Sequence, residues 1–234
     1  MPPLNGNAFK NRLLAALPLE DLQRYFSDLH PVSLPLRHVL YEAGAPLKFV
    51  YFIERGLASI LENMADGSTI EVGMVGAEGM VGVAALLGGE TSSRQYIVQG
   101  DGTALRMNAA ACKAAFDQNS AVRRVVLRFT EELLDLSAQT AACNRLHSIE
   151  QRCARWLLMA SDRIRSDIMP MTHEFMSSML GVRRPGVTTT LGELHRSGLI
   201  RNGRGQVTII DREGLEATAC ECYQSDHGRL ERLL

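Results

Sequence analysis

Residues 172–210 read THEFMSSMLGVRRPGVTTTLGELHRSGLIRNGRGQVTII, and this stretch predicts two short helices followed by a β-hairpin. Thr172 is suited to cap a helix that ends at Leu180, because its hydroxyl can accept a hydrogen bond from the first turn. Gly181 then supplies the left-handed conformation that ends this helix. A second helix is expected to start near Arg184, since the proline that follows fits a first turn. Two short helices joined through one glycine predict a helix-turn-helix.

Two turn signals follow the second helix and lie between two short β-like runs. They are Asn202-Gly203 and Arg204-Gly205. This pattern predicts a hairpin with arginine at its tip. Such a hairpin, or wing, can place its cations on the phosphates of a duplex.

The spacing of these elements predicts which residues contact DNA. The second helix is expected to enter the major groove with its N-terminal residues on base edges, and Arg184 is the candidate for a bidentate contact with guanine. Thr189 is expected to meet a thymine methyl group or a base-edge acceptor. Phosphate contacts are expected from Arg183, Thr188, Arg201 and Arg204.

The charge distribution agrees with a polyanionic partner for the C-terminal part. Residues 1–118 contain 9 Lys and Arg against 12 Asp and Glu, whereas residues 145–212 contain 11 Arg, no Lys, and 6 Asp and Glu. Arginine suits bidentate contacts with phosphate and guanine better than lysine does. An acidic part is therefore joined to a basic part that is suited to nucleic acid.

Residues 31–107 have the texture of an all-β domain. Short apolar runs alternate with glycine-containing breaks, which include Glu42-Ala43-Gly44, Glu54-Arg55-Gly56, Asp66-Gly67-Ser68 and Gln99-Gly100-Asp101-Gly102. Short strands at near-regular spacing predict a sandwich or a barrel. The Asp66-Gly67 pair is expected to form a hairpin turn.

A long helix is expected from near Ser120 past His147, because this stretch contains neither glycine nor proline. Its apolar or small residues recur at alternating intervals of four and three, as in a coiled-coil seam. The seam residues are Val122, Val126, Phe129, Leu133, Leu136, Thr140 and Cys143. We predict that this seam forms the interface of a two-fold homodimer. The alternative is that it packs on the chain's own β-domain.

The order of these parts resembles the Crp/Fnr superfamily of bacterial transcription regulators over nearly the whole chain. Residues 34–107 look like a cyclic-nucleotide-binding-type β-roll, residues 180–188 resemble the start of the family's recognition helix, and residues 143–152 resemble the hinge of one large subgroup. The resemblance implies an α+β fold in three parts. These are a double-stranded β-helix (β-roll or jelly-roll) sensor domain over residues 1–118, a dimerisation helix and hinge over 119–148, and a winged helix-turn-helix domain over 149–234.

The same resemblance implies a function and its partners. It implies effector-controlled binding of a homodimer to double-stranded DNA, at a palindromic operator with half-sites about one helical turn apart. RNA polymerase is a further partner if the protein activates transcription. The alternative function is a cyclic-nucleotide-binding module that regulates a protein partner.

The sequence departs from the family pattern at two sites. Members that bind cyclic AMP use a Gly-Glu-Leu segment for the ribose, but this chain has Gly82-Val83-Ala84. The phosphate position falls on Ser93 and Arg94, so Gly82, Val83, Ser93 and Arg94 form an incomplete effector site. Pro185 stands where family members commonly carry a glutamate that reads cytosine. We therefore expect neither the usual cyclic AMP binding nor the usual operator.

The five cysteines are expected to be reduced and mostly buried, because an odd count argues against a disulfide framework. The first is Cys112, so an N-terminal iron–sulfur cluster is not expected. A thiol switch at Cys143 stays open, as does a haem ligated by His30, His38 or Pro2. The spacing of Cys220 and Cys222 is too tight for a usual zinc pair. We predict no metal site and no cofactor, and an unknown small-molecule effector.

Other classes of protein fit the sequence less well. A metal-dependent enzyme on a β-barrel needs clustered histidine and carboxylate ligands, yet no histidine occurs between His38 and His147. The sequence also contains no nucleophile elbow or P-loop, so an enzyme is not expected. It contains no run of about 18 apolar residues, and residues 1–11 lack the features of a signal peptide. We therefore expect a cytoplasmic protein without a membrane partner.

Overall fold

The computed structural model describes residues 9–232 of the 234-residue chain, with side chains described as far as residue 229. The predictions about Pro2 and the extreme N-terminus lie outside this range. The described residues divide into two compact units. One comprises residues 9–60, 74–134 and 230–232, and the other comprises residues 61–73 and 135–229.

The N-terminal part of the chain forms a sheet of antiparallel strands, as the alternation of apolar runs and turns predicts, and all of this sheet except residues 61–73 lies in the first unit. The six strands are β1 (His30–Leu34), β2 (Val39–Tyr41), β3 (Phe49–Asn63), β4 (Thr69–Val75), β5 (Met80–Val81) and β6 (Gln95–Asn108). The main path of the sheet runs β1-β6-β3-β4, with β2 paired to β6 and β5 paired to β3. Three short helices accompany the sheet: α1 (Arg12–Ala15), α2 (Leu19–Tyr25) and α3 (Ala109–Gln118).

Two of the predicted strand breaks are wrong, because β3 continues through Gly56 and β6 continues through Gly100 and Gly102. At these points the two backbones approach closely. A Cβ on Gly56 would lie 2.5 Å from the Gly100 oxygen, and one on Gly102 would lie 2.0 Å from the Arg55 oxygen. Glycine is therefore needed for close packing inside long strands and does not end them.

The predicted hairpin turn at Asp66-Gly67 is present between β3 and β4. The Met64 backbone N–H donates a hydrogen bond to the Ser68 oxygen across the turn (2.8 Å), and Gly67 has a φ of 84°. The Asp66 carboxylate accepts a hydrogen bond from the Ser68 backbone N–H (2.9 Å), which fixes the turn.

Helix α4 (Ser120–Leu146) has one face buried within its own chain. The Asn119 side chain caps its start by accepting hydrogen bonds from two backbone N–H groups. Five of the seven predicted seam residues are buried, while Leu133 and Thr140 are half-buried. The buried five are Val122, Val126, Phe129, Leu136 and Cys143. In contrast, Leu127 and Leu134 are 46% and 67% exposed.

The second unit contains a helical core and a small sheet. Its helices are α5 (Ile149–Ile164), α6 (His173–Leu180), α7 (Arg184–Arg196), α8 (Arg212–Thr218) and α9 (Cys222–Arg232). Its strands are β7 (Ile168–Pro170), β8 (Ile200–Gly203) and β9 (Gln206–Ile209), in the order β7-β9-β8. The structure pairs β7 with β9 because Met169, 1% exposed, packs into the core opposite Val207.

Helix α5 lies at the centre of this unit, with Leu157 and Leu158 fully buried. A capping box formed by Ser148 and Gln151 starts the helix. Residues 61–73, which comprise the end of β3, the β3–β4 turn and the start of β4, belong to the same unit. Among them Glu71 accepts a hydrogen bond from the indole Nε1 of Trp156 (2.7 Å), so a buried carboxylate has a partner.

Candidate functional site

Helices α6 and α7 form the predicted helix-turn-helix, and local caps fix its geometry. The Thr172 hydroxyl accepts a hydrogen bond from the Phe175 N–H (3.1 Å), which starts α6. Gly181 ends α6 in the left-handed region, with a φ of 60°. Helix α7 begins at Arg184 with Pro185 in its first turn. The predicted cap, turn and proline positions are therefore those of the structure.

The two faces of α7 differ in burial and in chemistry. Val187, Leu191 and Leu194 are fully buried and attach the helix to the core of its unit. The predicted DNA-contacting residues of this region are all exposed: Arg183, Arg184, Pro185, Thr188 and Thr189. The N-terminal turn of α7 thus presents cationic and hydroxyl groups to the solvent.

A hydrogen-bonded chain that the sequence analysis missed joins α7 to the hairpin. The Asn202 amide on β8 donates to His173 Nε2 (3.2 Å), and His173 Nδ1 donates to the Thr188 hydroxyl (2.9 Å). Thr188 in turn donates to the backbone oxygen of Arg184 (3.1 Å). Each group in the chain is a donor to the next, so the chain assigns the Nδ1–H tautomer to His173. The side chains joined to His173 lie 15 and 29 residues away from it, and no local pattern marks them.

Strands β8 and β9 form the predicted wing. Gly203 pairs with Gln206, so Arg204 and Gly205 form the tip, and Gly205 has a φ of 72°. Arg201 and Arg204 are exposed. Among the described residues, no carboxylate forms an ion pair with either of them. Their charges are therefore available to an anion.

Two family models match the chain in the order of the two units. The cyclic nucleotide-binding domain matches residues 31–119, and the Crp-like helix-turn-helix domain matches residues 151–218. The chain belongs to the Crp/Fnr superfamily of transcriptional regulators. The predicted resemblance and the predicted α+β fold are therefore confirmed, and the protein is a DNA-binding transcription regulator of the Crp/Fnr type.

Individual relatives agree with this assignment. The transcriptional regulator LdrP of Thermus thermophilus is 25% identical over 197 residues, which are 78% of this chain and 93% of that protein. The structure of FixK2 from Bradyrhizobium japonicum has a TM-score of 0.69 at 18% identity, and covers 82% of this chain and 98% of its own. The CRP-family regulator TTHB099, also from Thermus thermophilus, has a TM-score of 0.68 at 21% identity, over 80% of this chain and 96% of its own. These two structures share the Crp/Fnr fold with this chain.

The four residues predicted to form an incomplete effector site have mixed chemistry. Gly82 is left-handed with a φ of 93°, and a Cβ on it would lie 2.9 Å from the Phe49 oxygen. Val83, only 7% exposed, begins a short 3-10 turn (Val83–Ala85). Ser93 and Arg94 are exposed, and the Arg94 guanidinium donates to the Ser93 hydroxyl (3.4 Å). Val83 therefore supplies an apolar surface where a ribose would need a hydrogen-bond acceptor.

The structure corrects the prediction for the C-terminal cysteines. Cys220 and Cys222 are spaced too tightly for a usual zinc pair and no metal site was predicted, but Cys143 and His147 lie beside them. One potential ligand atom from each of the four residues lies within 4.8 Å of the others. The ligands meet because the end of α4 and the start of α9 are brought together by the fold, across more than 70 residues of sequence.

Electrostatics distinguishes these cysteines from the other two. A hydrogen bond with the Cys220 thiol, opposed by burial, lowers the pKa of Cys143 to about 5. The same contact raises the pKa of Cys220. Burial alone raises the pKa of Cys112 to about 12, and burial is the largest cause that raises the pKa of Cys153 to about 12. Cys112 and Cys153 therefore behave as packed thiols, whereas Cys143 favours the thiolate.

No helix within residues 9–232 combines the length and the apolar character that a bilayer crossing requires.

Proposed function

We propose that the protein binds a palindromic operator as a homodimer, with the N-terminal turns of two α7 helices in successive major grooves. The observation that carries this proposal is the exposed, cationic N-terminal turn of α7 beside an arginine-tipped wing. A recognition helix reads bases mainly through its N-terminal residues. Contacts between flanking cations and the DNA phosphates fix the register of the helix on the duplex.

Within this surface, Arg184 and Thr189 are the residues proposed to read bases. The Arg184 guanidinium can donate two hydrogen bonds to guanine, and the Thr189 side chain offers a methyl and a hydroxyl group. Pro185 has no polar side-chain atom and cannot accept a hydrogen bond from cytosine. We therefore expect an operator that differs from the usual family operator at the base pair next to Pro185.

The remaining polar residues position the reading helix. Arg183, Arg201 and Arg204 are exposed cations at the start of α7 and on the wing, and they are proposed to contact phosphates. The Thr188 hydroxyl already donates to the Arg184 oxygen and accepts from His173. A role in holding α7 against the wing suits Thr188 better than the phosphate contact that its position alone suggests.

The dimer is proposed to form along the exposed face of α4, opposite the buried seam. Leu127 and Leu134 lie one heptad apart on this face, and the exposed residues Ala138 and Ala141 continue the same line. Exposed leucines in register are the pattern of a helix-to-helix contact, and small residues allow close approach. We call this face the leucine face. The two protomers of the proposed dimer contact each other through the leucine face, while the residues of the predicted seam stabilise each protomer.

Control by an effector is proposed to act through the β-roll. Val83 disfavours a nucleotide ribose, so we do not expect cyclic AMP to bind in the manner usual for the family. The effector is expected to be another small molecule. The first residues of β4, directly after the β3–β4 turn, offer a route to the helix-turn-helix. A Cβ on Gly181, the turn of the helix-turn-helix, would lie 2.5 Å from the Ile70 side chain, so the two segments are closely packed. A shift of the start of β4 would therefore displace α6 and α7. Contact with RNA polymerase would follow if the protein is an activator, and such a regulator works in the cytoplasm.

The proposal is tested by selecting bound duplexes from a random pool with the full-length protein, followed by sequencing. We expect an enriched inverted repeat. Fluorescence anisotropy at several salt concentrations should then show that log K falls linearly with log salt concentration, because bound phosphates release counterions. The variant Arg24→Ala is the control for arginine substitutions in the proposed DNA-binding surface, since it removes one exposed arginine from the first unit. It should leave both the affinity and the salt slope unchanged. No enriched motif, or binding that is independent of salt, would contradict the proposal.

A further inference from the structure

Four side chains that can ligate a metal meet where α4 ends and α9 begins. Cys143 lies in the last turn of α4, and His147 directly follows the helix with its backbone N–H bonded to the Cys143 oxygen (3.1 Å), so the two side chains project from the same side. Cys220 and Cys222 come from the segment that enters α9. The three cysteines are buried, at 1%, 3% and 1% exposure for Cys143, Cys220 and Cys222, and His147 is half-buried. We call these four residues the Cys3His cluster.

Two separations within the cluster match those around a single ion, and all four donor atoms lie within 4.8 Å of one another. The Cys143 and Cys220 sulfurs are 3.5 Å apart, and the Cys222 sulfur is 3.6 Å from His147 Nδ1. A tetrahedral zinc ion with Zn–S of about 2.3 Å and Zn–N of about 2.0 Å holds its donor atoms roughly 3.5–3.8 Å apart. The sulfur separation is also far longer than the ~2.0 Å of a disulfide bond. One metal ion can therefore be reached by all four atoms with small adjustments.

The groups around the cluster orient its ligands as the surroundings of a metal site do. His147 turns Nδ1 towards the Cys222 sulfur, while its Nε2 lies 3.3 Å from a carboxylate oxygen of Glu221. A carboxylate on the outer ring nitrogen is the usual partner of a metal-bound histidine. The Gln139 amide donates to the Cys222 sulfur (2.9 Å), which suits a thiolate.

The charge balance near the cluster also favours bound thiolates. Three thiolates and one divalent cation leave a single negative charge. The guanidinium of Arg152 interacts electrostatically with Cys143 and Cys220, whereas that of Arg155 is already paired with the buried Asp226 carboxylate (2.5 Å). Arg152 is only 9% exposed, so its charge is weakly screened.

We propose that Cys143, His147, Cys220 and Cys222 form a structural zinc site that joins the end of α4 to the start of α9. A set of three cysteines and one histidine is a known closed set for structural zinc, and it leaves no position for a substrate. A polynuclear iron–sulfur cluster would hold its ligands further apart than this cluster does. Binding would displace the remaining thiol protons and add the binding free energy to the stability of the second unit.

The direct test is the metal content of the full-length protein, purified under reducing conditions with any affinity tag removed. We expect one zinc ion per chain by inductively coupled plasma mass spectrometry. Replacement of zinc by Co²⁺ should produce the intense visible absorption of a tetrahedral cobalt–thiolate site. Protein that contains no zinc and gives no such absorption with Co²⁺ would overturn the proposal. So would iron with acid-labile sulfide, or a Cys143–Cys220 disulfide that survives purification under reducing conditions.

Variants locate the ion. Cys222→Ser and His147→Ala are each expected to lower the zinc content and to weaken or abolish the cobalt spectrum, whereas the control Cys112→Ala should keep one zinc per chain. Cys112 is a suitable control because it is a buried cysteine of the first unit. Full zinc occupancy and an unchanged cobalt spectrum in both cluster variants would contradict the assignment.

Thiol alkylation of the wild-type protein avoids the problem of variants that fail to fold. With zinc bound, Cys143, Cys220 and Cys222 should resist alkylation, and a strong chelator should make all three reactive. The packed thiols Cys112 and Cys153 should stay unmodified in both conditions. Equal reactivity of the three cysteines with and without the chelator would refute a bound ion.

Discussion

Helices α4 and α7 are both amphipathic, and each buries one face in its own chain, but their exposed faces differ in chemistry. The exposed face of α4 includes Leu127 and Leu134, whereas the exposed N-terminal turn of α7 carries Arg184 and Thr188. Leucines in water favour contact with another apolar surface. Arginines without ion-pair partners favour an anion.

This difference separates the two proposed tasks of the molecule, which are dimerisation through α4 and DNA binding through α7. A buried stripe stabilises a protomer, and only the opposite face of the same helix is available to a partner. The stripe that has the best heptad spacing on α4 is the buried one, so spacing alone does not reveal which stripe is the interface. Substitutions on the two faces of α4 and α7, and on the wing beside α7, test this division into stabilising and binding surfaces.

The largest effect is expected from the buried face of α7. Leu191 is fully buried, so Leu191→Ala should lower the free energy of unfolding by about 2–5 kcal/mol. The exposed neighbour Thr189 provides the control, since Thr189→Ala should change it by no more than about 0.5 kcal/mol. Urea denaturation followed by circular dichroism measures both values. Similar losses for the two variants would show that the faces of α7 are wrongly divided.

The next effect concerns the leucine face of α4. Leu134→Glu places a charge in the proposed dimer contact and should weaken dimerisation by about 2 kcal/mol or more, which is roughly 30-fold in the dissociation constant. The control is Leu146→Glu, because Leu146 is 75% exposed but lies to one side of the leucine face. Analytical ultracentrifugation should find a weakened dimer only for Leu134→Glu. A dimer of unchanged affinity would place the interface elsewhere.

A third effect is expected on the reading of DNA. Arg184→Ala should cost about 1–3 kcal/mol of binding free energy and relax the sequence preference at one base pair of each half-site. Competition binding with duplexes that vary at each position measures this preference. An Arg184→Ala protein with unaltered preference would remove Arg184 from the base-reading residues.

The smallest effect is expected from the tip of the wing. Arg204→Ala should weaken binding to all duplexes by a similar factor and reduce the salt slope by about 1 for each lost phosphate contact. Parallel salt titrations of Arg204→Ala and wild type measure the difference. If Arg204→Ala instead changes the preferred sequence, the wing reads bases rather than phosphates.

The helix-turn-helix was predictable because its determinants are local. The cap at Thr172, the left-handed Gly181 and the proline in the first turn of α7 lie close together in the sequence, and each acts on its immediate neighbours. The hairpin turn at Asp66-Gly67 is local in the same sense. Family resemblance added the overall arrangement and the function.

The features that were missed depend on contacts between distant residues. Gly56 and Gly102 look like turn residues until the opposite backbone is known to lie against them. Cys143 and Cys220 are 77 residues apart, so the Cys3His cluster was not visible in the spacing of Cys220 and Cys222 alone. A signal did exist in the pair Cys143 and His147, which share one helical face. The seam on α4 was correctly found as apolar, but the sequence did not show which surface would cover it.

The most direct test of the central claim is the effect of half-site phasing on affinity. If two protomers joined along α4 insert their α7 helices into successive major grooves, the half-sites of the selected operator should lie about 10 base pairs apart, or a whole number of turns apart. Insertion of about 5 base pairs between them places the second half-site on the opposite face of the duplex. The account predicts that this insertion reduces the affinity to that of a single half-site. An affinity unchanged by the insertion would contradict the account.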